Sequence, residues 1–146
     1  MEEIRLLLVD DEEDFRTTLA NRLRKRKNDV TGAGSGSEAI ELIRQRPFDV
    51  AIVDVKMPGI DGIETLRQIK QISPLTEVIM LTGHASVESG IEGMKLGAYD
   101  YLMKPCDIDE LLLKIGDAYH RKLLQEERIR QAELKQKVGE TARPLE

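Results

Sequence analysis

The sequence predicts an α/β domain of five strand-then-helix units built around a parallel sheet. Short, mostly aliphatic runs of strand length recur five times, each is followed by a segment with apolar residues three or four positions apart, and the connections are short. Crossovers of this kind are almost always right-handed, so helices cover both faces of the sheet and all five strands end on one edge.

Ile4 to Val9 reads as a first buried strand ending in Asp10, Asp11, Glu12 and Glu13. Phe15, Leu19 and Leu23 then share a helix face, and the basic run Arg24 to Lys27 closes that helix. Acidic residues at a helix start and basic ones at its end favour the helix dipole, which accounts for Glu12, Glu13 and the basic run. Asp10 and Asp11 differ, because adjacent carboxylates at a strand end repel unless a cation lies between them. A short strand around Asp29 to Thr31 precedes Gly32-Ala-Gly-Ser-Gly-Ser-Glu. These glycines match a dinucleotide-binding loop poorly: Ala39 stands where the final glycine belongs, and the loop does not follow the first strand. Ser35 and Glu38 read instead as a capping box for a helix carrying Ala39, Ile40 and Ile43.

The central stretch runs from Val50 to Gly62. Its branched apolar residues suit a strand buried on both faces, and Asp54 falls where that strand ends. Pro58 and Gly59 build a turn, and Asp61 caps a helix with Ile63, Leu66 and Ile69. The fourth strand, Glu77 to Leu81, ends in Thr82, Gly83 and His84. The helix from Val87 to Leu96 sets Val87, Ile91 and Met94 on one face but contains Gly90 and Gly93, each costing about 1 kcal/mol relative to Ala, so it is expected to be the loosest helix. Gly97 ends it. Ala98 to Met103 makes a short fifth strand leading to Lys104-Pro105, and Asp107 and Glu110 mark the start of a last helix with Leu111, Leu112, Ile115 and Ala118 inward.

Topology thus brings Asp10, Asp11, Asp54, Thr82 and Lys104 from four strands to one edge. Carboxylates gathered there make a hard-oxygen site suited to Mg²⁺. One of them can act as a nucleophile toward phosphorus, Lys104 supplies a fixed positive charge, and the Thr82 hydroxyl can donate to a phosphoryl oxygen.

Composition narrows the alternatives. At 146 residues with 40% apolar content the chain can bury a real core, which must be aliphatic because 3% is aromatic and there is no Trp. The net charge is −5, divided as −7 over residues 1–120 and +2 over the rest. An acidic body with few aromatics argues against direct nucleic-acid contact. The single Cys106 rules out an internal disulfide framework. The N-terminus has no signal-like apolar stretch and no run approaches membrane-spanning length, so a cytoplasmic protein that does not enter a membrane is expected.

Four motifs carry a family resemblance: Leu-Val-Asp10-Asp11-Glu, Val-Asp54-Val-Lys-Met-Pro58-Gly59-Ile-Asp-Gly62, Leu-Thr82-Gly, and Ala98-Tyr-Asp-Tyr101-Leu-Met-Lys104-Pro105. With their spacing, over about residues 4–120, the chain resembles a CheY-like receiver domain of a bacterial two-component response regulator, closest in flavour to receivers of sigma-54-dependent, NtrC/DctD-type activators. The resemblance implies the flavodoxin-like (βα)5 doubly wound sheet of order 2-1-3-4-5. It makes Asp54 the phosphoacceptor, charged from a sensor histidine kinase or phosphotransfer protein. It assigns Mg²⁺ to Asp11, Asp54 and the main-chain carbonyl of Lys56, with Asp10 assisting. It has Thr82 and Lys104 contact the phosphoryl group, makes Thr82 and Tyr101 the switch pair, and implies a cis bond before Pro105. The output surface is expected on the fourth helix, fifth strand and fifth helix.

Lys56 and His84 occupy the positions that govern water's access to the phosphoryl group in such receivers, and Cys106 stands where many carry Phe. His120 is expected to be exposed. Residues 1–120 form the receiver. Residues 121–146 continue the last helix to Gly139 and end in a disordered tail; the apolar positions hold no heptad, so a solvated extension is the favoured reading and a dimerising or partner-binding helix the sharper one. The expected protein is a switch rather than an enzyme, catalysing only its own phosphoryl uptake and release. It would act on a downstream partner or on an output domain beyond this chain. The rivals are an unphosphorylated scaffold, for which no site residue has been lost, and an Mg²⁺-dependent aspartyl-phosphate phosphatase or phosphotransferase. The haloacid dehalogenase type of the latter needs an acid two residues past its nucleophile, where Lys56 stands.

Overall fold

The computed structural model describes residues 3–83 and 86–141. Five units follow in order: β1 (Arg5–Val9), α1 (Glu13–Lys25), β2 (Asp29–Ala33), α2 (Gly36–Gln45), β3 (Val50–Val53), α3 (Gly62–Ile72), β4 (Glu77–Thr82), α4 (Val87–Lys95), β5 (Asp100–Met103) and α5 (Ile108–Thr141). The strands pair in parallel in the order β2-β1-β3-β4-β5, the flavodoxin-like arrangement.

Strand side chains alternate between faces, so the sheet builds two cores. Leu6, Leu8, Ile52, Ile79 and Leu81 pack with Leu19 and Leu23 of α1 and Leu111 and Ile115 of α5. Leu7, Val9, Ala51, Val53, Val78 and Met80 pack with Ile40 and Ile43 of α2 and Leu66 and Ile69 of α3. Burial on both faces explains why the central strands read as unbroken aliphatic runs; each fully buried Leu or Ile is worth roughly 1.5–3 kcal/mol.

Two glycines fix the chain's path. A Cβ at Gly62 would stand 1.9 Å from the Asp54 carbonyl oxygen, so only glycine lets α3 begin directly against the end of β3. Gly97, at φ +99°, ends α4: its N–H reaches the Met94 carbonyl and the Ala98 N–H reaches that of Gly93, a Schellman closure.

Some expectations are corrected in detail. β2 runs to Ala33, and β5 begins at Asp100 because Ala98 and Tyr99 complete the α4 closure and the approach to the sheet. The Ser35 hydroxyl caps α2 through the Glu38 N–H, but the Glu38 carboxylate accepts from the Gly34 N–H rather than from that of Ser35. The face of α4 bearing Ile91 and Met94 is about half exposed, at 52% and 49%. Helix α5 does not stop at Gly139 but continues to Thr141. His84 and residues 142–146, where a disordered end is expected, lie outside the described residues. His120 is exposed.

Candidate functional site

Three strand ends, those of β1, β3 and β5, are carried one ladder step further by the backbone. The Asp10 N–H bonds the Ala33 carbonyl at 3.0 Å, the Asp54 N–H bonds that of Val9 at 3.0 Å, and the Lys104 N–H bonds that of Thr82 at 2.8 Å. Residues just past the strands therefore inherit the register of the sheet. Asp10, Asp54 and Thr82 are buried there.

Lys104 ties the pocket together. Its ammonium lies 2.6 Å from Asp10 Oδ2, 3.4 Å from Glu12 Oε1 and 3.6 Å from Asp54 Oδ2, and sits 3.9 Å from the centroid of the Phe15 ring. Burial disfavours the ammonium charge, but the hydrogen bond to Asp10 and the charges of Asp10, Asp54 and Glu12 outweigh it and raise the Lys104 pKa. Burial also dominates at Asp10 and raises its pKa, against the opposing bonds from Lys104 and from the Glu12 N–H at 2.9 Å. The Lys104–Pro105 peptide is cis.

The fit of a cation is tested by the donor set. Asp10, Glu12 and Asp54 each present a carboxylate oxygen within 4.8 Å of the others. Asp54 Oδ1 is buried with no hydrogen-bond partner among the described residues. A buried carboxylate oxygen left without a partner is costly, and hard oxygens at this spacing suit Mg²⁺. The pocket fits such an ion.

The structure brings Asp10, Asp54 and Lys104 together, with Thr82 at the end of the neighbouring strand. The Asp11 side chain is exposed and outside the trio, as is that of Lys56. Tyr101 is half-buried, and its hydroxyl shares a 2.7 Å hydrogen bond with the Ser89 hydroxyl of α4. Glu12 is the acid that dipole reasoning set aside. It stands at the N-cap of α1 without capping through its side chain, which leaves the carboxylate able to reach Lys104.

The family model described as the response regulator receiver domain matches residues 6–116. The chain belongs to the response regulator receiver domain family. Among relatives of this receiver, the transcriptional regulatory protein ZraR of Klebsiella oxytoca is 38% identical over 125 residues, covering 86% of this chain and 28% of its own. The chain spans about a quarter of the length of the curated relatives it matches. A receiver domain protein from Clostridium thermocellum superposes with a TM-score of 0.80 at 36% identity, over 84% of this chain and 98% of that one. The beryllofluoride-activated NtrC4 receiver domain dimer gives 0.76 at 36% identity, over 81% and 98%, in line with the NtrC-type flavour of the motifs. Among the described residues of this receiver, no helix is long and apolar enough to cross a membrane.

Proposed function

We propose that this receiver is a phosphorylation-controlled switch that takes a phosphoryl group onto Asp54 from the phosphohistidine of a sensor histidine kinase or phosphotransfer protein. The observation that carries this reading is Asp54 itself, a buried carboxylate with one oxygen unpartnered and the other 3.6 Å from the Lys104 ammonium. In the transfer, an Asp54 oxygen attacks phosphorus and the P–N bond breaks. The departing imidazole keeps the bonding pair and takes a proton from solvent. Hydrolysis of the acyl phosphate later returns the carboxylate and inorganic phosphate, so the chemistry is confined to the domain's own phosphoryl group.

Lys104 neutralises charge on the incoming phosphoryl oxygens, and the Thr82 hydroxyl donates to one of them. Asp10, Asp11, Asp54 and the Lys56 carbonyl are the ligands proposed for Mg²⁺, with Glu12 a further carboxylate in reach. The ion supplies positive charge that offsets repulsion between the carboxylate and the phosphoryl group.

The switch follows from Thr82 and Tyr101. Drawing Thr82 toward a phosphoryl group opens space for the Tyr101 ring, whose inward movement costs the bond to Ser89 and frees α4 to shift. The surface changed is that of α4, β5 and α5, where Ile91, Met94, Met103 and Leu113 are exposed. A cytoplasmic downstream protein, an output domain of the kind the longer relatives have room for, or a second copy are the proposed readers; the NtrC4 receiver dimer supports the last.

The test is intact-mass detection of phosphorylation with acetyl phosphate. Uptake is expected to need both Mg²⁺ and Asp54. Persistence of the mass shift in folded Asp54→Asn overturns the assignment.

A further inference from the structure

The glycine alternation at Gly32 and Gly34 has no part in the proposed phosphoryl chemistry, yet it faces a residue that touches the pocket. Arg16, on the second turn of α1, donates from Nη1 to the Asp10 carbonyl oxygen at 2.7 Å. Its side chain runs across the β2–α2 connection. A Cβ at Gly32 would stand 3.3 Å from Arg16 Cδ, and one at Gly34 would stand 3.3 Å from Nη1. Glycine at both positions leaves the guanidinium its lane. Neither has a positive φ, so the requirement is for space rather than for an unusual backbone.

Arg16 makes no ion pair among the described residues, although Glu12, Glu13 and Glu38 are on the elements around it. Its guanidinium donates to the carbonyl oxygen of the peptide that joins Asp10 to Asp11. The other polar groups of Asp10 are also committed: its N–H to Ala33, Oδ1 to the Glu12 N–H and Oδ2 to Lys104. Asp10 is thereby held through its N–H, both carboxylate oxygens and, by Arg16, the carbonyl from which the chain passes on to Asp11.

We infer that Arg16, in the space left by Gly32 and Gly34, is a positioning residue for the acidic pair and tunes the pocket's affinity for a divalent cation. The inference rests on the reading of this pocket as an Mg²⁺ site. Residues that orient metal ligands without touching the metal typically change affinity 10- to 100-fold when lost.

The experiment is isothermal titration of Mg²⁺ into the unphosphorylated chain, with thermal unfolding in EDTA to verify that each variant is folded. Arg16→Met is expected to weaken binding by about tenfold, and Arg16→Lys, which keeps a donor, to recover part of it. Gly34→Ala, which crowds the guanidinium, is expected to weaken binding by about threefold in the wild-type background and to add nothing in Arg16→Met. A merely structural arginine would lower the unfolding temperature and leave the Mg²⁺ dissociation constant of the folded protein unchanged. Unchanged binding in folded Arg16→Met, or a Gly34→Ala effect that persists without Arg16, overturns the inference while wild-type binding keeps the pocket reading intact. Wild-type protein that binds no Mg²⁺ overturns both.

Discussion

Two buried aspartates sit at opposite ends of the sheet, and their surroundings push them in opposite directions. Asp49, just before β3, is buried but accepts from the Arg5 N–H and guanidinium and from Lys122; these bonds outweigh the burial penalty and lower its pKa below the ordinary 3.8. Its ionised form therefore stabilises the fold above that value, and the contribution is lost as pH falls through the lowered pKa. Asp10 is the reverse. Burial raises its pKa, so its ionisation takes stability away as pH rises past 3.8 through the raised value. Asp49→Asn is expected to cost about 2 kcal/mol at pH 7, by taking from Arg5 its carboxylate and from Lys122 one of its two, and to flatten the acid limb of the stability profile. Asp10→Asn in metal-free buffer is expected to flatten the limb above 3.8. Urea unfolding between pH 3 and 7 checks both signs. Of these two, the sequence marks only Asp10, because it stands beside a second acid at a strand end. Asp49 looks like a loop residue, and its partner Lys122 is 73 positions away in a segment whose composition suggests solvent.

At the scale of the elements, strands buried on both faces and helices with one apolar stripe are written plainly in residue type and period, so the order of the ten elements can be read in advance. What cannot be read is how far an element extends when its support comes from elsewhere. Helix α5 is the instance. Past His120 its composition is polar, yet Arg121 pairs with buried Glu77 and lies 4.5 Å from the Tyr99 ring centroid, while Lys122 reaches Asp49 at 3.0 Å and also pairs with Glu126. These contacts join the first turns of the extension to the amino ends of the strands. A chain ended after His120 takes one cation from each of two buried carboxylates, leaving Asp49 with Arg5 and Glu77 with Lys70, and it is expected to be less stable than one ended after Arg128 by about 2 kcal/mol, measured by chemical denaturation. In α4, a Cβ at Gly93 would lie 3.7 Å from Ile63 Cδ1 and 3.8 Å from Met80 Cγ, ordinary contact distances. Gly93→Ala should fit, stabilise the helix by up to about 1 kcal/mol, and slow amide exchange across α4.

For the molecule as a whole, the half-exposed apolar face of α4 and the neighbouring Met103 and Leu113 are what a change of state would act through. Beryllofluoride, which stands in for a phosphoryl group, is expected to shift the protein toward a dimer on size exclusion with light scattering. Met94→Glu is expected to abolish that shift without impairing phosphorylation. Sequence alone places these residues on a helix face and a strand, but helical periodicity does not tell which stripe faces the sheet when two glycines let a helix sit close. The long α5 adds a mechanical property. From Lys122 to Thr141 it extends about 30 Å at 1.5 Å per residue, and its base is clamped by ion pairs to strands that also frame the acidic pocket. Such a rod is a lever arm: a tilt of about 10° at the clamp displaces its tip by about 5 Å, so a small change in the seating of α5 on the sheet would be delivered, magnified, to whatever is attached at its far end.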